Sequence, residues 1–175
     1  MERDLLAKIR NVKDFPKQGI VFRDITTLLK DPDAFGNVVQ VLSEKYKGDG
    51  VAKVVGIESR GFIFGAALAF KLNAGFVPIR KSGKLPAEKL RQEYMLEYGR
   101  DAMEVHTDAI NKGDRVLVHD DLLATGGTVS AACQLVERLG GTIVGVSFIV
   151  ELTYLKGREQ LGGYDVYSIL KYEKE

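Results

Sequence analysis

One unit occurs twice in this chain and limits what it can fold into. "AKVVGIESRGFIFGAALAFKLNAGFVPIR" and "DRVLVHDDLLATGGTVSAACQLVERLGGTIVGVSFIVEL" each pass from a short apolar strand, through a glycine-containing turn, into a helix-length stretch and then a second apolar strand. Apolar runs without alternation mark strands buried on both faces. Strands separated by helices need crossovers, which predicts an α/β fold with a mostly parallel sheet flanked by helices. The 175 residues, 45% of them hydrophobic, suffice for one core, so a single domain over 1–175 is expected.

Ahead of the first unit, "ERDLLAKIRNV" puts Leu5, Leu6, Ile9 and Val12 on one helical face, and Pro16 and Gly19 in "DFPKQG" end that helix. Asp31 as N-cap and Pro32 at the first helical position open a second helix. Between the two units, "KSGKLPAEKLRQEYMLEYGRDAMEVHTDAINKGD" is polar and has no sustained period. Its "EYMLEYG" and "MEVHTD" are candidate strands of a mobile hairpin, the kind of long insertion that serves as a lid.

Composition removes several function classes. A net charge of +1 lacks the basic excess of a dedicated nucleic-acid binder. No stretch approaches the roughly 20 apolar residues of a membrane span, and Glu2 to Arg10 is too charged for a signal peptide, so a cytoplasmic protein without membrane contact is expected. The single cysteine, Cys133, allows no internal disulfide, which suits a reducing compartment, and its place in the amphipathic "SAACQLVERL" favours packing over nucleophilic chemistry.

The chemistry concentrates where "RVLVH" ends. Asp120 and Asp121 follow it, and in open α/β sheets ligands bind beyond the carboxyl ends of the strands. "LLATGGT" then enters a helix whose first N–H groups and dipole favour an anion, with glycines for close approach and the Thr125 and Thr128 hydroxyls as further donors. Carboxylates accept hydrogen bonds from vicinal hydroxyls but repel a phosphate, so an acid pair beside an anion cradle suits a sugar phosphate. Judged alone, the motif leaves open two solvated aspartates in an ordinary turn. Neither GxxxxGK[ST] nor GxGxxG occurs, against nucleoside-triphosphatase and dinucleotide readings. "RKSGKLPAEKLR" sets Arg80, Lys81, Lys84, Lys89 and Arg91 against Glu88, a local charge of +4 that is either a second anion site or a solvated basic loop.

These residues carry a resemblance. "VLVHDDLLATGGT" resembles the ribose-phosphate signature of the type I phosphoribosyltransferase family, and "FPKQGIVFRDIT", "GIESRGFIFG", "VPIRKSGKLP", "EYMLEYG" and "VELTYLKGRE" narrow it to the adenine-specific members, in order along nearly the whole chain. The resemblance implies the type I phosphoribosyltransferase fold with a small base-binding hood, about 1–30, and a flexible catalytic loop, about 81–103. The reaction it implies is Mg²⁺-dependent transfer of ribosyl-5-phosphate from phosphoribosyl pyrophosphate to N9 of adenine, giving AMP and pyrophosphate in purine salvage. A homodimer is implied too, with Arg60 and the Arg80 to Lys84 region near the subunit interface.

Residue by residue, the resemblance gives the ribose and 5′-phosphate to Asp120, Asp121, Ala124, Thr125, Gly126, Gly127 and Thr128. Pyrophosphate falls to Glu58, Ser59, Arg60 and Gly61, with a strained peptide between Glu58 and Ser59, and to Arg80, Lys81 and Lys84. Adenine falls to main-chain groups of Val21 and Arg23, to Phe22, which reads equally as core, and to Glu97. Glu97 and Arg60 are the expected catalytic residues, with Tyr98 beside Glu97 on the loop. Magnesium is expected to be held mainly by substrate oxygens and water rather than by a protein ligand set. His119 stands where the family usually has an apolar residue, and strand alternation assigns it to packing.

Two other readings compete. A regulatory protein sensing the pyrophosphorylated sugar would need a DNA-binding module, and no helix-turn-helix fits ahead of Phe15. A xanthine- or orotate-specific member would share the acid pair and cradle but not "VFRD" together with "LEYG".

Overall fold

The computed structural model describes the backbone of residues 2–95 and 99–174. The first helix, α1 (Glu2–Leu6), is shorter than its apolar spacing predicts, and Arg10–Lys13 is extended instead as β1. Leu5 and Ile9 are buried as that spacing requires, but the chain turns back at Pro16 and Gly19, and β1 pairs antiparallel with β2 (Val21–Asp24), Arg10 opposite Asp24. The Asp24 carboxylate accepts from Arg10 Nε at 2.9 Å and from the Thr26 N–H at 2.8 Å. A tertiary pairing thus overrides a local helical period. This two-stranded ribbon lies in the segment expected to form the hood.

After the short α2 (Thr26–Leu29), α3 (Pro32–Tyr46) starts as expected: Asp31 accepts from the N–H groups of Asp33 at 3.1 Å and Ala34 at 3.0 Å. The first repeated unit is β3 (Lys53–Ile57), α4 (Gly61–Lys71) and β4 (Gly75–Lys81). β5 (Lys89–Met95) and β6 (Arg100–His106) form the antiparallel hairpin. The second unit is β7 (Arg115–Leu123), α5 (Gly127–Arg138) and β8 (Thr142–Leu152), and two 3-10 turns, Thr153–Leu155 and Gly157–Leu161, lead to β9 (Val166–Tyr172).

The seven-stranded sheet has the order β5-β6-β4-β3-β7-β8-β9, parallel from β4 to β9. One face packs Val54, Leu117 and Ile149 under Val38 and Leu42 of α3 and Phe64 and Leu68 of α4. The other packs Val55, Ile57, Val118 and Phe148 under Val129, Cys133 and Val136 of α5. From β3 the chain first builds outward to β4, then returns through β7 to the opposite side. The loops after β3 and β7 therefore diverge onto opposite faces and leave a crevice between them, the switch point at which such sheets bind ligands.

β7 does not end at His119 but runs on to Leu123, with Asp120 opposite Phe148 and Leu123 opposite Glu151 of β8. The aspartates therefore sit inside a paired strand, held by its ladder rather than by a loose turn.

Candidate active site

Phe22, Ser59, Arg60, Lys81, Lys84, Asp120, Asp121 and Thr128 line one open cleft of about 590 Å³ at the switch point, with Glu58, Tyr94, Asp101 and Leu122. Ala124, Thr125, Gly126 and Thr128 continue from Asp120 into a small adjoining recess. Gly127 stands with Thr125 on the far side of that recess, in a groove shared with Gln92 to Met95 of β5.

The two helices that open on this crevice differ from α3 in how they start. α3, remote from it, carries the Asp31 side-chain cap, whereas neither α4 nor α5 has a side-chain cap hydrogen bond. Their first-turn N–H groups are left for something other than their own side chains, which is the condition for anion binding at a helix start. α5 is entered through Gly126 at φ +88°, a left-handed conformation that disfavours a side chain. The Glu58–Ser59 peptide, expected to be strained, is cis.

Arg60 joins the two halves. Its Nε lies 3.1 Å from Asp121 Oδ2, at ion-pair distance but without hydrogen-bond alignment, and its guanidinium stands 5.0 Å from the centroid of the Phe22 ring. The Asp121 N–H donates to Asp120 Oδ1 at 2.9 Å, fixing the Asp120 carboxylate against the main chain. Burial, and for Asp120 the neighbouring Asp121 charge, push both carboxyls above the usual carboxylate range, while Arg60 pulls in the opposite direction. Gly61 lets α4 come this close, since a Cβ there would stand 2.8 Å from Asp120 Oδ1.

The basic segment is already organised by an acid. Glu58 accepts from Arg80 Nε at 3.2 Å and from the Lys81 N–H at 2.9 Å, and Lys84 Nζ is 3.2 Å from its other oxygen. Burial works to raise the Glu58 carboxyl, but Arg80, Lys81 and Lys84 hold it below its ordinary value. Glu58 thus stands as the counter-ion that gathers these cations beside the cleft, a place that its position in the loop motif did not indicate.

The side chains of β2 separate cleanly. Phe22 faces the cleft and also meets Phe15 edge-on at 5.3 Å. Arg23 points away: it donates to Asn11 Oδ1 at 2.6 Å and its guanidinium stands 4.1 Å from the centroid of the Tyr172 ring, so its side chain is turned from the cleft. His119 is fully buried, with Nδ1 2.9 Å from Ser147 Oγ, and burial lowers its pKa to about 3, which keeps it neutral and out of acid–base chemistry. Cys133 is buried and its thiol is pushed up to about 12, again mainly by burial, the opposite of an activated nucleophile.

Glu97 and Tyr98 lie outside the described residues. The strands on either side of them bring Tyr94 and Asp101 to the cleft, the Tyr94 hydroxyl donating to Asp101 Oδ2 at 3.2 Å. Neither was singled out from the sequence. Alternating burial along β5 turns Leu90, Gln92 and Tyr94 inward, and that period of two was present in "KLRQEYM". Asp101 has no such signal.

A phosphoribosyl transferase domain profile matches residues 24–166. The chain is 58% identical over 171 residues to the adenine phosphoribosyltransferase of Solibacter usitatus, covering 98% of this chain and 99% of that one. Its fold superposes on the adenine phosphoribosyltransferase of Thermoanaerobacter pseudethanolicus with a TM-score of 0.96 at 49% identity, covering 98% of this chain and 100% of the other. The Saccharomyces cerevisiae adenine phosphoribosyltransferase, complexed with an imino-altritol bisphosphate and adenine, matches with a TM-score of 0.92 at 38% identity, covering 97% and 98%. With sequence, fold and crevice in agreement, the chain belongs to the phosphoribosyltransferase family, among its adenine phosphoribosyltransferases.

Proposed function

We propose that three surfaces of one cleft divide the work in the reaction of this enzyme, the transfer of ribosyl-5-phosphate from phosphoribosyl pyrophosphate to adenine, which yields AMP and pyrophosphate for purine salvage. The observation that carries the division is the joining of Phe22, Arg60, Asp120, Asp121 and Thr128 in a single cavity at the switch point.

Ala124 to Thr128 receive the 5′-phosphate on the uncapped start of α5, and Asp120 and Asp121 accept from the ribose hydroxyls and favour positive charge developing on the ring. Ser59, Arg60 and Gly61, at the uncapped start of α4, take the pyrophosphate together with Lys81 and Lys84. Arg80, bound to Glu58, acts by holding this corner together. Adenine lies against Phe22. Among the described residues the ribbon has no third strand, so one edge of β2 is unpaired, and a carbonyl of Val21 or Arg23 there can accept from the exocyclic amine. An oxopurine would set an acceptor against that acceptor. Glu97, on the segment of about 81–103, accepts the proton that adenine loses as N9 attacks. That segment closes over the cleft: among the described residues, the hairpin joins β4 through Arg80 opposite Glu104 and Lys81 opposite Met103, a short ladder suited to a hinge.

Among the described residues no group of three or more His, Cys, Asp or Glu forms a ready metal cage. The adjacent carboxylates of Asp120 and Asp121 at the cleft do fit Mg²⁺, which takes few protein oxygens and keeps water and substrate oxygens as its other ligands. When bound, the ion would neutralise charge on the departing pyrophosphate. Among the described residues no helix is long and apolar enough to cross a membrane. The lone buried thiol agrees with a cytoplasmic location.

A second copy of the chain covers α4. Its outward face is apolar, with Ile63 41% and Phe70 90% exposed, and it leads back to Arg60, so a partner seated there borders the pyrophosphate corner and the Arg80 to Lys84 region. Phe70→Glu is expected to convert a homodimer to monomer in analytical ultracentrifugation; a parent protein that sediments as a monomer would remove this reading.

The function as a whole is checked by offering adenine, hypoxanthine, guanine and xanthine separately with phosphoribosyl pyrophosphate and Mg²⁺. Turnover is expected with adenine alone, and turnover only with an oxopurine overturns the assignment.

A further inference from the structure

Between β8 and β9 the turn Gly157–Leu161 touches the cradle from behind, and nothing in the reaction as described calls on it. We propose that this turn is a backstop that sets the shape of the 5′-phosphate cradle, with Gly157 and Arg158 as positioning residues held in place by Glu151; the inference rests on the cradle assignment above.

The contact is backbone against backbone. A Cβ on Gly126 would run into the Gly157 carbonyl oxygen, and a Cβ on Gly157 would run into the Ala124 carbonyl oxygen and stand 2.9 Å from Leu123 Cδ1. Two glycines are therefore needed at one crossing, one in the cradle and one in the turn. Gly126 precedes α5, so a shift of the turn against it is passed directly to the N–H groups that face the phosphate.

The turn is fastened at two points. Arg158 donates from Nε to Glu151 Oε1 at 2.7 Å and from Nη2 to Glu151 Oε2 at 2.8 Å, a two-bond fork. Its Nη1 donates to the Val166 carbonyl at 2.8 Å, at the first residue of β9. Glu151 is only 4% exposed and lies opposite Leu123 in the β7–β8 ladder. The anchor of the turn is thus in register with the residue that leads into the cradle. Leu161, buried in the core on the α5 side, closes the other end. A phosphate bound by several converging N–H groups loses affinity when they move by a fraction of an ångström, so fixing this crossing bears on the phosphate and not on the base.

The test compares AMP with adenosine, which lacks the 5′-phosphate, by calorimetric titration of the full-length protein. Gly157→Ala disturbs the crossing directly, and Glu151→Gln/Arg158→Met removes the fork without leaving a lone buried charge. Each is expected to weaken AMP by about tenfold while adenosine changes by less than about twofold. Thr125→Ala/Thr128→Ala reports on the cradle itself and should lower the same preference. If that pair leaves the preference intact, the cradle assignment fails and the backstop with it. If the pair lowers the preference but the turn variants keep it, or weaken both ligands alike, the backstop is wrong while the cradle stands. Should Gly157→Ala not fold, the Glu151→Gln/Arg158→Met protein decides alone.

Discussion

Replacing Asp120 and Asp121 together with asparagine is expected to lower kcat/KM by about 10²–10³-fold, the loss seen when a preorganised electrostatic partner of the transition state is removed. Asparagine keeps shape and an acceptor oxygen but not the charge that favours a ribosyl cation. The fold should not suffer. Burial raises both carboxyls, and a group whose folded pKa exceeds its unfolded value favours folding most below the unfolded value. As pH rises from the ordinary carboxylate range toward and through the raised values, that advantage is lost, so the buried pair costs stability there. Neutral side chains avoid the cost, so the double variant should melt at or above the parent temperature at pH 7, with the difference shrinking toward pH 4. Normal kcat/KM in a folded double variant would sink the ribose assignment; a lowered melting temperature at pH 7 would show that the Arg60 to Asp121 contact outweighs the burial of the pair.

Glu97→Gln should act on turnover instead. General acid–base catalysis contributes about 10²–10⁴-fold, and kcat is expected to fall in that range while the affinity for phosphoribosyl pyrophosphate changes little. The split is informative because Glu97 is proposed to meet adenine and not the sugar. Steady-state kinetics with each substrate varied in turn, together with titration of phosphoribosyl pyrophosphate alone, separates the outcomes. Equal losses in kcat and in sugar binding would assign Glu97 to the closed position of the loop rather than to the proton.

The parts of this site that could be read from the chain are those made by consecutive residues. "HDDLLATGGT" carries acids, glycines and hydroxyls in the order in which strand, recess and helix start hold them, so their gathering at one place was legible there. The two strand–helix–strand units were legible for the same reason, since their apolar periods are local. Phe22 was not. Between Val21 and Arg23 it reads equally as core, and only the fold of the ribbon turns its ring to the cleft while Arg23 goes back to Asn11 and Tyr172. Nor was β1, whose residues fit a helical period until Asp24 and the pairing with β2 outweigh it.

Glu58 shows the same limit in charge. The sequence places it in the pyrophosphate loop, while the fold surrounds it with Arg80, the Lys81 N–H and Lys84 from β4 and the turn after it, more than twenty residues away. By itself the sequence determined the α/β architecture and the family, because periodicity and short motifs are properties of neighbours in the chain. The tertiary structure alone decided that Phe22 turns to the cleft, that Glu58 gathers the cations and that the Gly157–Leu161 turn meets Gly126. Each of these depends on an approach between distant segments, and such approaches are set by packing and ion pairing across the sheet rather than by any local preference.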